Sequence, residues 1–119
     1  MIKGQAQNTS ESDTIAAGCA PVPPADCRTM TEVRAGVDAV DRALMALLAE
    51  RFAFMTAAAR IKPSRADVRD EARKRQVIDN ARADAVARGL PADAVADIWD
   101  RLVEASIAYE LEAFDRMRG

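Results

Sequence analysis

The stretch VRAGVDAVDRALMALLAERFAFMTAAARIK, residues 33–62, decides the fold. Its apolar side chains recur at alternating steps of four and three: Val33, Val37, Val40, Leu44, Leu47, then Phe54, Ala58 and Ile61. That spacing is the stripe of one long amphipathic helix. The stripe is broken once, between Leu47 and Phe54, and the residue in the gap is Arg51. A guanidinium in a buried seam costs several kcal/mol unless an anion meets it. Eleven residues on, at about 100° per residue, Lys62 falls only ~20° from the face of Arg51, with ~16 Å between their Cα atoms. Two extended cationic side chains close much of that distance and leave room for a small dianion. The helix reads as one wall of an anion pocket.

The rest of the chain supports an all-α fold with three helices. Thr29 followed by Glu32 fits a capping box opening the first helix, which Pro63 ends after Arg60 to Lys62. A second helix is expected to start between Asp67 and Asp70 and to end at Arg88, where Gly89 and Pro91 follow. The third opens near Pro91 to Asp93 and continues to about Arg116. Its stripe is Val95, Ile98, Trp99, Leu102, then Phe114 and Met117, with Trp99 read as core. Ser106 and Glu110 stand where this stripe calls for apolar residues. Asp70, Arg73 and Lys74 share one face at the start of the second helix. Arg34 lies ~100° away from the Arg51 face, so it suits a pocket of a second copy packed antiparallel.

Composition bounds the function. A chain of 119 residues is one domain by length. With one Trp, one Tyr and three Phe, each helix has a thin apolar payload. A first helix of about 30 residues is ~45 Å long, more than a chain this small covers from within. A homodimer is the natural way to bury the remainder. A net charge of −2 argues against a nucleic-acid partner, and no apolar run is long enough for a membrane span. Histidine is absent, which removes the commonest general base and metal ligand. Cys19 and Cys27 make no zinc spacing and fit a reduced, cytoplasmic setting. Residues 1–28, mixing Gln, Asn, Ser and Thr with Pro21, Pro23 and Pro24, read as a disordered tail preceding a helical domain over 29–119.

Taken together, VRAGVDAVDRALMALLAERF (33–52), AARIK (58–62), VRDEARKRQVI (68–78) and ASIAYE (105–110) resemble the all-helical chorismate mutases, including their isochorismate-pyruvate lyase branch. The resemblance implies an intertwined homodimer of three-helix protomers with shared active sites. It matches Arg34 to an arginine reaching the other subunit's site, and Arg51 and Lys62 to groups holding the substrate carboxylates and ether oxygen. Asp70, Arg73, Ser106 and Glu110 also fall on site positions. Two departures stand out: Lys74 replaces a glutamate that binds the substrate hydroxyl, and Glu110 replaces the glutamine usual in bacterial mutases.

The implied reaction is the Claisen rearrangement of chorismate to prephenate, which needs no nucleophile, metal or cofactor. The enzyme holds a flexible dicarboxylate in a compact shape and places donors where charge grows on the breaking ether oxygen. Glu110 must be protonated to donate there, so activity is expected to fall as Glu110 ionises. Lys74 leaves amino-substituted chorismate open as a substrate. The PADC lead-in at 24–27 and the AARIK segment resemble the lyase branch, which forms salicylate and pyruvate from isochorismate. Against these stand a silent helical dimer acting as an interaction module, and a structural salt-bridge network joining Arg51 and Lys62 to Glu110 and Asp70.

Overall fold

The computed structural model describes residues 21–119, so Cys19 and the first twenty residues of the expected tail lie outside the described part. Three α-helices follow one another: α1 Met30–Ile61, α2 Glu71–Ala87 and α3 Ala92–Arg118. The described residues divide into two compact units, one ending at Ala49 and the other Glu50–Gly119, and α1 contributes to each.

In the first unit, Pro24–Asp26 form a single 3-10 turn, within the stretch read as tail. The capping box is then made in full. The Glu32 amide donates to Thr29 Oγ1 at 3.1 Å, and the Thr29 amide donates to Glu32 Oε1 at 3.1 Å. A further bond from the Arg28 amide, the largest influence, holds the Glu32 carboxyl below its ordinary range. The apolar stripe of this half of α1 faces solvent: Val37, Val40, Leu44 and Leu47 are all at least half exposed. Val33, Val37 and Val40, with Pro21, Val22 and Pro24, line an apolar groove of about 560 Å³.

In the second unit, α2 and α3 form a helical hairpin. Asp70 caps α2, its side chain accepting from the Arg73 amide at 3.0 Å. The helix closes in a Schellman motif, with Gly89 at φ +70, Leu90 N–H on Ala85 O at 2.8 Å and Gly89 N–H on Val86 O at 3.1 Å. Only glycine takes that φ without strain. The core joins Ala59 of α1, Val68 of the connecting loop, and Val103, Ile107, Ala113 and Phe114 of α3. Phe52 and Tyr109 meet edge to face, with ring centroids 4.9 Å apart.

Parts of both stripes stay uncovered within the single chain, including Ile98 and Met117 of α3, 58% and 46% exposed. Phe54 and Ile61 of the α1 stripe are 65% and 73% exposed. The face of α1 turned toward α3 carries Ala59 instead, about one residue position around the helix. Trp99 is only half-buried and lines a second cavity with Val77, Ala81, Ala85 and Val95. The alanines of α2 are too short to fill the space beside it.

Candidate active site

The polar residues that interrupt the stripes come together in the second unit. Arg51, Met55, Ala58 and Lys62 follow steps of four, three and four, so they project from one side of the α1 end. Val103, Ser106, Ile107 and Glu110 answer them from α3, and Asp70, Arg73, Lys74 and Val77 from the first turns of α2. These side chains line a cavity of about 360 Å³.

Lys62 stands one residue past α1, its amide donating to Ala58 O at 2.9 Å. Its Nζ lies 2.7 Å from Glu110 Oε2 and 3.5 Å from the Val68 carbonyl. Glu110 is only 4% exposed. The Lys62 ammonium and the Glu110 carboxylate form an ion pair. Among the described residues Oε2 meets no donor other than this ammonium. A buried carboxylate is costly unless a cation meets it, and Lys62 is that cation.

Arg51 has a different environment. Its Nη1 donates to Ser106 Oγ, and the serine spends its own proton on the Leu102 carbonyl at 2.7 Å. No carboxylate among the described residues pairs with Arg51. Burial holds the Arg51 guanidinium below its ordinary basicity, and repulsion from Arg73 adds to the effect. Arg73 donates to Gln76 Oε1 at 2.6 Å and likewise has no carboxylate partner among the described residues. Two guanidinium groups thus border one cavity with no carboxylate among the described residues to oppose them, a chemistry that suits carboxylate.

Lys74 is tied elsewhere. Its ammonium lies 2.6 Å from Glu104 and 3.2 Å from Asp100, both on α3. Glu104 also takes two bonds from Arg69, at 2.8 and 3.1 Å. Arg69 first and Lys74 second pull the Glu104 carboxyl down to about 2, while Glu104 and Asp100 raise Lys74. Asp70 lines the cavity but spends its carboxylate on the α2 cap. Arg34 is exposed on the first half of α1 and belongs to the other unit. The salt-bridge alternative therefore holds for Lys62 and Glu110 and fails for Arg51 and Asp70.

Sequence reasoning missed three contributors. Asp67 lines the cavity from the loop, and Asp100 and Glu104 claim Lys74. The Asp100–Glu104 spacing of four marks a shared acidic face, a signal available without coordinates. Among the described residues, no group of three or more His, Cys, Asp or Glu side chains is placed to hold a metal ion. No helix there is long and apolar enough to cross a membrane.

The second unit gathers unopposed guanidinium groups, a lysine and a buried carboxyl around a small cavity, a set of groups chemically suited to a small organic anion. The family model described as chorismate mutase type II matches residues 33–111, well over half of the sequence, and the chain belongs to that all-helical family. No curated protein matches it.

Proposed function

We propose that the protein is a chorismate mutase, converting chorismate to prephenate in the cavity between the end of α1, the start of α2 and the middle of α3. The observation that carries this reading is the pair of half-exposed or exposed guanidinium groups, Arg51 and Arg73, with no carboxylate to neutralise them. In the rearrangement the ether C–O bond breaks as a C–C bond forms within one molecule, so no atom enters or leaves. Arg51 and Arg73 bind carboxylate and hold the enol-pyruvyl arm over the ring, which removes the entropic part of the barrier. Lys62 donates to the ether oxygen as negative charge develops on it. Glu110, in its protonated form, donates to the same oxygen from α3. Its place beside Lys62 on the cavity wall supports that assignment.

The working form in this proposal is a homodimer. Support comes from the uncovered α1 stripe, with Val40, Leu44, Leu47, Phe54 and Ile61 each more than half exposed. Burying such side chains yields about 1.5–3 kcal/mol apiece. Arg34, exposed on the same helix, then reaches the cavity of the other copy and supplies the grip on a second carboxylate. A cytoplasmic location goes with this reading.

The test is to incubate the purified chain separately with chorismate and isochorismate and identify the products by NMR. Prephenate from chorismate supports the proposal. Salicylate and pyruvate from isochorismate, with chorismate untouched, would replace it with the lyase reading. Inertness toward both would leave the interaction module.

A further inference from the structure

Pro63 ends α1 and in doing so leaves a buried carbonyl without its helical donor. The Ala59 oxygen would ordinarily accept from the amide four residues on, but that residue is Pro63, which has no N–H. Ala59 is fully buried, so water does not substitute, and an unmet carbonyl there is costly. The donor arrives from the far end of α3. Arg118 Nη1 donates to Ala59 O at 2.8 Å, and Nη2 donates to Lys62 O at 2.7 Å. The guanidinium itself is held in place by Phe114, lying 3.8 Å from the ring centroid.

We propose that Arg118 is a positioning residue, clamping the last turn of α1 so that Lys62 holds its ammonium against the cavity beside Glu110. Lys62 sits past the helix, where no continuing turn fixes its carbonyl. One fork closes the Ala59 and Lys62 carbonyls and fixes the backbone from which the Lys62 side chain springs. A positive charge on the C-terminal carbonyls of α1 also opposes the negative end of its dipole. The catalytic part of this inference rests on the functional reading above, in which Lys62 faces the ether oxygen.

The test compares Arg118→Ala and Arg118→Gln with the wild-type chain, at a temperature well below each melting transition. Arg118→Ala lowers kcat on chorismate by roughly 10- to 100-fold, the effect of a misplacement near 1 Å. KM changes by less than about 3-fold, since Arg51 and Arg73 still bind the carboxylates. Arg118→Gln, which keeps one donor, recovers part of the loss and guards against failure of the alanine variant to fold. Hydrogen exchange gives a readout independent of turnover. The Lys62 amide exchanges at least about tenfold faster in Arg118→Ala, while mid-α2 amides such as that of Ala81 keep their rates. A lower melting temperature with kcat and Lys62 exchange unchanged would overturn the inference and leave Arg118 a general fastener. If the wild-type chain does not turn over chorismate, the functional reading fails, and unchanged Lys62 exchange would still refute the clamp.

Discussion

Replacing Arg51 with methionine separates function from stability. The substitution keeps most of the length of the side chain and removes its charge. In the folded chain Arg51 has one side-chain partner, Ser106 Oγ, and Ser106 keeps its bond to Leu102 O when the guanidinium is gone. The loss is one hydrogen bond, worth about 1 kcal/mol net. Against it stands relief of a cation whose burial and proximity to Arg73 already work against its charge. The two effects nearly cancel, so Arg51→Met is expected to unfold within about 1 kcal/mol of wild type in urea. Catalysis does not cancel. Removing one partner of a desolvated guanidinium–carboxylate pair costs about 2–5 kcal/mol, or roughly 30- to 5,000-fold in kcat/KM on chorismate. The assay is the initial rate of chorismate consumption, run beside urea unfolding of the same preparations. A variant that loses several kcal/mol of stability would show Arg51 to be structural. Activity retained within a few-fold would refute the anion-pocket argument directly.

Other outcomes follow from the same contacts. Glu110→Gln keeps a donor at the cavity wall and is expected to retain turnover, while Glu110→Ala loses it; initial rates of the two variants on chorismate check this, and equal rates would remove Glu110 from the role. Glu104 titrates near 2 in the folded chain against an ordinary 4.5, so the stability it contributes is complete above about 4.5 and is lost as pH falls toward 2. Thermal melts across that window should show Glu104→Gln declining less steeply than wild type. Leu44→Glu, a charge placed in the exposed α1 stripe, is expected to shift the sedimenting species from dimer to monomer and to remove activity with it. Equal sedimentation of both proteins would rule out that face as the interface.

Much of the local structure was legible in the residues because its causes are local. Thr29 and Glu32 announce a reciprocal cap and make it. Pro63 and the Gly89–Pro91 turn mark helix ends that the backbone obeys. The misfits Arg51, Lys62, Ser106 and Glu110 converge, since a polar group at an interior register needs another polar group to meet it. What stayed hidden depends on how the helices are set against one another. Phe54 and Ile61 belong to a real stripe, but periodicity says nothing about whether this chain or another covers it. Lys74 looked free for substrate because Asp100 and Glu104 approach it from α3. The need for a donor at Ala59 follows from Pro63 alone, yet nothing near it in sequence names Arg118.

The central claim is that unopposed cations around one cavity exist to bind a compact dicarboxylate. Calorimetric titration with a rigid bicyclic dicarboxylate mimic of the rearrangement's transition state tests it most directly. The expected result is saturable binding of one molecule per chain by the wild type, abolished in Arg51→Met. Absence of binding to the wild type, or equal affinity in the two proteins, would contradict it.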